Sequence, residues 1–204
     1  MSTVGSDSSL FDKGCFVPID RSFVLQGYKA LSKIADIQRQ YNKLDNDSFL
    51  NELRDSMIAL YLGYDCINTD KHGLDAKKAQ GAEFLEIKQV SFSSQSWSAT
   101  FNDTTLQKAW VFKDHRTTLA VGVWESMAEL LFIVYGRHKG IGEYLERKIV
   151  ECKQAQRRST QTISVLKLLK DYAFRIKPIA DQQRCQNLLE LKYGARFRDS
   201  FDGA

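Results

Sequence analysis

Proline is scarce in this chain of 204 residues, and its cysteines are scattered. The two prolines argue against long structureless linkers and against a disordered chain. The four cysteines form no C-x-x-C pair and have no histidine at the spacing of zinc ligands, so neither a zinc site nor a disulfide framework is indicated. They are Cys15, Cys66, Cys152 and Cys185. We therefore expect free thiols in a reducing compartment.

Long hydrophobic runs are also missing. No apolar run approaches about 18 residues, so no segment is predicted to span a membrane. Residues 1–10 are small and polar and lack the pattern of a signal peptide. The protein is therefore expected to be intracellular and cytoplasmic. The motifs G-x-S-x-G and G-x-x-x-x-G-K are absent as well, which leaves a serine hydrolase or a phosphate-binding loop without support.

The charged residues are unevenly distributed along the chain. Residues 1–136 contain 14 Lys and Arg against 17 Asp and Glu, a formal charge of −3. Residues 137–204 contain 15 against 8, a formal charge of +7. A basic C-terminal third is compatible with binding to a nucleic-acid backbone, although a solvated helical surface gives the same pattern.

Hydrophobic spacing predicts both helices and strands. Helices are predicted over residues 23–44, 48–62, 102–113, 141–156 and 163–174, with a last helix between Pro178 and Gly194. Strands are predicted at residues 64–68, 74–76, 84–92, 119–124 and 130–135. This order predicts an α/β fold, with a single mixed β-sheet flanked by helices and a helical C-terminal extension. Residues 1–9 are predicted to be disordered. Residues 10–204 are predicted to form one domain, with a core at about 48–136 and the extension at about 137–204.

The strongest chemical signal lies on the predicted strand at residues 84–92. Side chains alternate between the two faces of a strand, so Glu86 and Lys88 share a face with Phe84, Val90 and Phe92. Two charges among apolar neighbours should be paired with each other or bound to a metal. Taken alone, an E-x-K tripeptide is most simply explained as a structural Glu–Lys pair.

Asp75 adds a second carboxylate to this signal. It lies on the preceding predicted strand, just after Gly73, and a hairpin of this length can bring it close to Glu86. Two neighbouring carboxylates repel each other unless a cation joins them, and Mg²⁺ prefers such oxygen ligands. Lys88 would then stand near the attacking water and a scissile phosphate. Glu52, on the helix before these strands, could be presented to the same cluster, although most helical glutamates are solvated.

In this order, the motifs resemble those of the PD-(D/E)XK nuclease superfamily. They comprise a helix with an early Glu, then Leu-Gly-Tyr at 62–64, Gly-Leu-Asp at 73–75 and Glu-Ile-Lys at 86–88. The resemblance covers about residues 48–124 and is greatest to type II restriction endonucleases. It implies that Asp75 and Glu86 are metal ligands, Lys88 the catalytic lysine and Glu52 an auxiliary acid. Residue 74 is Leu where the family name implies Pro.

The resemblance also implies a function and partners. It implies a Mg²⁺-dependent endonuclease that hydrolyses phosphodiester bonds in double-stranded DNA, as a sequence-specific restriction enzyme. Cutting both strands requires two active sites, so a homodimer is expected. Two alternatives stay open, namely a repair or resolution nuclease on the same core and a nucleic-acid-binding module that has lost activity.

Several polar residues outside this set are candidate DNA contacts. Lys77 and Lys78 directly follow Asp75 and suit phosphate contacts, or they serve the solubility of the hairpin. Gln95 lies in a hydroxyl-rich stretch that could follow a DNA backbone or read base edges, or could form an edge strand. Arg157 and Arg158 form a basic pair in the C-terminal third.

Overall fold

The computed structural model of the protein describes residues 21–40, 49–66, 74–78, 82–102, 104–126, 128–156 and 160–203. The chain falls into two compact units, Met1–Phe49 and Leu50–Ala204. In the described part of the first unit, helix α1 spans Arg21–Gln40, which confirms the predicted helix as far as Gln40. The predicted disorder at residues 1–9 lies outside the described residues. Among the helices of the described segments, none has both the length and the apolar character needed to cross a membrane.

The second unit alternates strands and helices. In chain order its elements are α2 Phe49–Leu62, β1 Asp65–Cys66, β2 Ala76–Lys77, β3 Phe84–Ser91, β4 Ser98–Phe101, α3 Leu106–Val111, β5 Thr117–Trp124, β6 Leu130–Gly136, α4 Gly140–Gln154, β7 Gln161–Ser164, α5 Val165–Asp171, β8 Arg175–Pro178, α6 Gln182–Tyr193 and a short 3-10 helix at Arg198–Ser200.

The main sheet has six strands in the order β1-β2-β3-β5-β6-β8. Strands β3 and β5 run parallel, and the other neighbouring strands run antiparallel. This confirms the predicted α/β fold with a mixed sheet flanked by helices. The prediction of a single sheet was wrong, because β4 and β7 pair with each other in a separate antiparallel sheet. At four residues each, these strands are too short for hydrophobic spacing to identify them.

Both faces of the main sheet carry a hydrophobic core. On one face, α2 packs through Ile58 and Ala59 against Leu85, Ala120 and Ile133. On the other face, a larger core joins the sheet to α3, α4, α5 and α6. Every residue of β5 is buried, as expected for a central strand covered on both faces.

The C-terminal third is less helical than predicted. Residues 161–164 form β7, so the predicted helix at 163–174 begins only at Val165. Pro178 ends β8, which pairs with β6, instead of starting a helix. A proline is tolerated there because β8 is an edge strand of the sheet. The last helix begins at Gln182 after its cap Asp181 and ends at Gly194, which has the left-handed backbone (φ 68°) suited to that position.

The cysteines agree with the expectation of free thiols where they are described. Cys152 is a partly exposed free thiol, and Cys185 is a buried one. The Cys185 thiol lies against the carbonyl oxygen of Leu131 at 3.4 Å, and burial raises its pKa to about 11. This thiol therefore behaves as a core side chain. Cys15 and the side chain of Cys66 lie outside what the structure describes.

Candidate active site

The hairpin of β2 and β3 brings Asp75 and Glu86 together. Ala76 pairs with Leu85 and Lys77 with Phe84 in an antiparallel register. Just before β2, the Asp75 N–H donates to the Leu85 carbonyl at 3.0 Å, which keeps Asp75 beside β3. The charge of Glu86 acts on Asp75, so the two carboxylates are electrostatic neighbours.

Backbone geometry fixes the orientation of the Asp75 carboxylate. Its Oδ2 accepts a hydrogen bond of 2.6 Å from the Ile87 N–H. The bond crosses from the residue before β2 to the strand that carries the E-x-K motif. The Asp75 side chain is thereby held against β3 before any ligand arrives.

Glu86 and Lys88 form a close ion pair on the face of β3 that packs toward the larger core. The Lys88 Nζ donates to Glu86 Oε1 at 2.6 Å and lies 5.5 Å from the centre of the Phe101 ring on β4. The Glu86 side chain is 3% exposed, and that of Lys88 is 19% exposed. A buried carboxylate of this kind requires a compensating charge, and Lys88 supplies one.

A second lysine, which the sequence reasoning missed, also lies near Glu86. Lys108 on α3 places its Nζ 3.6 Å from Glu86 Oε1. The backbone of α3 is fixed there because Thr105 caps the helix and its Oγ1 accepts from the Lys108 N–H at 3.2 Å. The sequence did predict a helix at this point. Nothing in its spacing, however, identifies which side chain reaches back to β3.

Asp55 on α2 is the second residue that the sequence reasoning missed. Its Oδ1 accepts from the Gln89 amide at 2.7 Å, and the same amide donates to the Asn51 carbonyl at 3.1 Å. Burial raises the pKa of Asp55 to about 6; the Gln89 hydrogen bond and Lys88 oppose this shift, and the charges of Glu86 and Glu52 add to it. Asp55 therefore belongs electrostatically to the same cluster.

The pKa of Asp75 responds to both burial and the neighbouring charges. Burial raises it to about 7, and the negative charge of Glu86 contributes next, with a smaller contribution from Asp55. The hydrogen bond from Ile87 and the charge of Lys88 act in the opposite direction. Near neutral pH, the site therefore holds a carboxyl group that ionises more readily when a cation binds beside it.

Glu52, the predicted auxiliary acid, lies in the first turn of α2 and is partly buried. It precedes Asp55 by three residues, so the two lie on one side of the helix. Its charge acts on Asp55, whereas Asp55 is the α2 carboxylate whose charge reaches Asp75. The structure thus brings Asp55 closer to the centre of the cluster. The three-residue spacing from Glu52 was the sequence signal that could have found it.

The predicted DNA contacts lie apart from this cluster. Lys77 is exposed on β2, and Lys78 pairs with Glu83 at 2.7 Å. Gln95 is exposed in the turn before β4, where its carbonyl accepts from the Lys192 ammonium at 2.9 Å. No hydrogen bond or ion pair among the described residues joins these side chains to Asp75 or Glu86. Arg157 and Arg158 lie outside the described residues.

The carboxylates suit Mg²⁺ better than a metal that needs a protein cage. Within the described segments, no group of three or more His, Cys, Asp or Glu side chains is arranged to hold a metal ion. Mg²⁺ needs only one or two carboxylates, because it keeps several waters and completes its shell with phosphate oxygens. Asp75 and Glu86 are two carboxylates of this kind, and the charge of Glu86 adds to the raised pKa of Asp75. Two carboxylates are compatible with Mg²⁺, the metal expected from the sequence.

Comparison of the chain with models of known protein families and with curated protein sequences finds no match. The functional argument therefore rests on the geometry of the site and on the order of its motifs.

Proposed function

We propose that this protein is a Mg²⁺-dependent endonuclease of the PD-(D/E)XK superfamily, with Asp75, Glu86 and Lys88 at its active site. One observation carries the proposal. Asp75 is hydrogen-bonded to β3 at Leu85 and Ile87, the two residues that flank Glu86, and the lysine two residues after Glu86 contacts the Glu86 carboxylate. The mixed sheet with helices on both faces supports a restriction-endonuclease-like core.

The proposed reaction is hydrolysis of a phosphodiester. A water oxygen forms a bond to phosphorus, the bond from phosphorus to one ester oxygen breaks, and negative charge accumulates on the phosphate oxygens. A bound Mg²⁺ would lower the pKa of the attacking water and stabilise that charge. Asp75 and Glu86 would hold the ion. The Ile87 hydrogen bond keeps Asp75 aligned for this task.

Lys88 has a separate role in this proposal. Its ammonium is bonded to Glu86 and packed beside Phe101, so it is held next to the ligand position in a largely water-excluded place. A preorganised cation there can donate a hydrogen bond to a phosphate oxygen as charge develops. With Glu86 holding the ion, the Lys88 ammonium would be available for that bond.

For the substrate we propose double-stranded DNA, and for the biological role sequence-specific restriction by a homodimer. The +7 charge of residues 137–204 supports a phosphate-backbone partner. A repair or resolution nuclease would use the same residues, and the two roles differ in the DNA that is cut.

A nucleic-acid-binding module without activity is the competing function. It is favoured by one observation, namely that Lys88 and Lys108 already compensate the charge of Glu86 without a metal. A purely structural cluster would be satisfied in this way. Asp75 argues against that function, because it gains no cationic partner among the described residues and its pKa is raised.

Incubation of plasmid-length duplex DNA with the protein, in Mg²⁺ or in a chelator, tests the proposal. Discrete fragments that require Mg²⁺ would support restriction. Cutting confined to branched or damaged DNA would support the repair or resolution role. Binding of duplex DNA with no cutting of any of these substrates would contradict the proposal and support the binding module.

A further inference from the structure

The face of the main sheet that carries α2 is only partly covered by that helix. α2 packs over Leu85 and Ala120, then ends at Leu62. Gly63 has a left-handed backbone (φ 74°), which lets the chain leave the helix and continue through Tyr64 into β1. Beyond this end of α2, a cavity of about 310 Å³ opens over the sheet. We call it the basic cavity.

The side chains around the basic cavity are mainly cations and hydroxyls. Strand pairing explains why they meet, because Leu85 opposes Thr118, Ala120 opposes Tyr135 and Ile133 opposes Lys177. All these residues therefore share one face of the sheet. The polar side chains that line the cavity are Tyr64, Lys78, Thr118, Tyr135, Arg137 and Lys177.

Arg137 is fixed in place by four hydrogen bonds. Its Nε donates to Thr118 Oγ1 at 2.7 Å, and its Nη1 donates to the His115 carbonyl at 3.3 Å. Its Nη2 donates to the Tyr64 hydroxyl at 3.2 Å and to Glu83 Oε2 at 2.6 Å. A guanidinium held in this way loses little freedom when an anion binds to it.

The basic cavity has an excess of positive charge. Among the described residues, Glu83 is the one carboxylate that forms an ion pair with the lining, and it is shared by Lys78 and Arg137. The Lys177 side chain makes no ion pair or hydrogen bond with any described residue, although its backbone pairs in the sheet. The Tyr135 hydroxyl donates to Asp202, whose charge is already balanced by Arg175. Three cations against one carboxylate leave an excess of two positive charges.

We propose that the basic cavity binds the phosphate group of a nucleotide. A phosphate carries the charge needed to balance the excess, and Arg, Lys and Tyr side chains are its usual donors. The volume is at the lower end of the range of about 300–1,000 Å³ that is typical of small-ligand sites, and it exceeds the needs of a lone phosphate. The rings of Tyr64 and Tyr135 supply apolar wall for the remainder of the ligand.

This site is separate from the candidate active site. Thr118 opposes Leu85, and the next residue on β3, Glu86, points to the opposite face of the sheet. The proposal therefore does not depend on nuclease activity. A phosphate group can come from a free mononucleotide or from the backbone of DNA, and both sources share the same recognition chemistry.

Calorimetric titration in a chelator tests the proposal, because Mg²⁺-dependent binding or cutting at Asp75 and Glu86 is then excluded. The ligands are inorganic phosphate, deoxyadenosine monophosphate and a short DNA duplex. Lys177→Gln removes a charge that holds no other described residue in place. It is expected to weaken binding of the recognised ligand by roughly tenfold, the effect of losing one charge-assisted hydrogen bond. Lys170→Gln, which removes an exposed charge on α5, is the matched control and should leave affinity unchanged.

Titrations with the mononucleotide and with the duplex distinguish the two sources of phosphate. Weaker binding of the mononucleotide by Lys177→Gln would assign the cavity to free nucleotides. An effect on the duplex alone, with the salt dependence reduced by about one unit, would assign it to the DNA backbone. Lys78→Gln should reproduce either result, which guards against a folding defect in one variant. Failure of the protein to bind any of the three ligands, or equal affinities for Lys177→Gln and Lys170→Gln, would overturn the proposal.

Discussion

The β2–β3 hairpin carries two charged groups of opposite character. Beside Glu86, burial and the charge of that carboxylate raise the pKa of Asp75 to about 7. At the loop end of the hairpin, hydrogen bonds from Arg137 and Lys78 lower the pKa of Glu83 to about 2. The same short element therefore carries a carboxyl group crowded by negative charge at Asp75 and a carboxylate shared by two cations at Glu83.

The difference comes from what each carboxylate contacts. Each carboxylate lies near two cations, but Glu86 is 3% exposed and has the carboxyl group of Asp75 as a neighbour, whereas Glu83 is 33% exposed. In the candidate active site, the carboxyl groups of Asp55, Asp75 and Glu86 outnumber the two lysines. In the basic cavity, among the described residues, the cations outnumber the single carboxylate, Glu83. Two residues that are close in the sequence, such as Glu83 and Glu86, can therefore have very different charged neighbours. Those neighbours are set by the strands and helices packed on each face of the sheet.

Among the variants that test this comparison, Lys88→Ala is expected to have the largest effect on cleavage. We predict that Lys88→Ala lowers Mg²⁺-dependent cleavage by about 10²-fold or more, the usual cost of losing a group that stabilises transition-state charge. It should also lower the free energy of unfolding by about 3 kcal/mol, because the buried Glu86 keeps only the more distant Lys108 as a partner. Cleavage rates and urea unfolding measure the two effects.

The double variant Glu86→Gln/Lys88→Ala separates catalysis from stability. It should regain most of the lost stability, because no buried charge is left unpaired, while cleavage stays absent. Cleavage at the rate of the unmodified protein in Lys88→Ala would contradict the assignment of Lys88. A double variant that is no more stable than Lys88→Ala would contradict the charge account.

The next largest effect is a pH dependence of stability that we expect from Asp75. The Asp75 pKa is raised from 3.8 to about 7 in the folded protein, so the folded state holds the extra proton between these values. Without metal, the free energy of unfolding should therefore fall as pH rises from about 4 to 7, because the folded state gives up the proton that it binds more tightly than the unfolded state. Affinity for Mg²⁺ should rise over the upper part of the same range, since the ligand must be ionised.

Thermal unfolding and Mg²⁺ titration between pH 5 and 8 measure this dependence. In Asp75→Asn the loss of stability with rising pH should be reduced, because the amide cannot ionise. Asp171→Asn, which alters an exposed ion pair with Lys167 on α5, is the control and should keep the profile of the unmodified protein. Identical profiles for the two variants would show that Asp75 is not the group that titrates.

A smaller effect is expected for Lys108. Its ammonium is 3.6 Å from Glu86 and 35% exposed, compared with 2.6 Å and 19% for Lys88. We predict that Lys108→Ala lowers cleavage by roughly tenfold, in line with the loss of a weaker charged contact. Lys113→Ala serves as the control, because Lys113 lies just beyond α3 and pairs with Glu146 instead. Equal rates for the two variants would remove Lys108 from the active site.

The smallest effects should separate the two acids of α2. Asp55→Asn removes a charge that raises the pKa of Asp75, whereas Glu52→Gln removes a charge that raises the pKa of Asp55. We therefore expect Asp55→Asn to change the Mg²⁺ concentration at half-maximal cleavage several-fold, a weak electrostatic effect, and Glu52→Gln to change it less. Metal titrations of the cleavage rate compare them. A larger effect for Glu52→Gln would restore Glu52 as the auxiliary acid of the cluster.

The parts of the molecule that could be predicted from the sequence are those with strong local patterns. β3 is rich in strand-forming residues, and β5 and β6 are mostly apolar, so their positions were predicted to within about two residues. The E-x-K motif on β3 located the site because both of its charges lie on one strand. β7 and β8 were missed because four residues are too few to separate strand from helix.

Contacts between distant segments could not be predicted in this way. Lys108 and Asp55 join the site through the packing of α3 and α2 on opposite faces of the sheet. Arg137 lies 54 residues from Glu83 and 73 residues from Tyr64 along the chain, yet it contacts both. Contacts between residues so far apart leave no periodic pattern in the local sequence. The basic cavity therefore becomes visible only when strand order and register are known.

The cleavage of duplex DNA by the unmodified protein and by Asp75→Asn, followed as Mg²⁺ is increased at pH 8, tests the central claim most directly. The account predicts that the unmodified protein cuts only when Mg²⁺ is present, and that Asp75→Asn loses cleavage by about 10²-fold or more while it still binds DNA. Asp171→Asn should match the unmodified protein. Cleavage by Asp75→Asn with an unchanged Mg²⁺ dependence would contradict the assignment of Asp75 and Glu86 as the metal site.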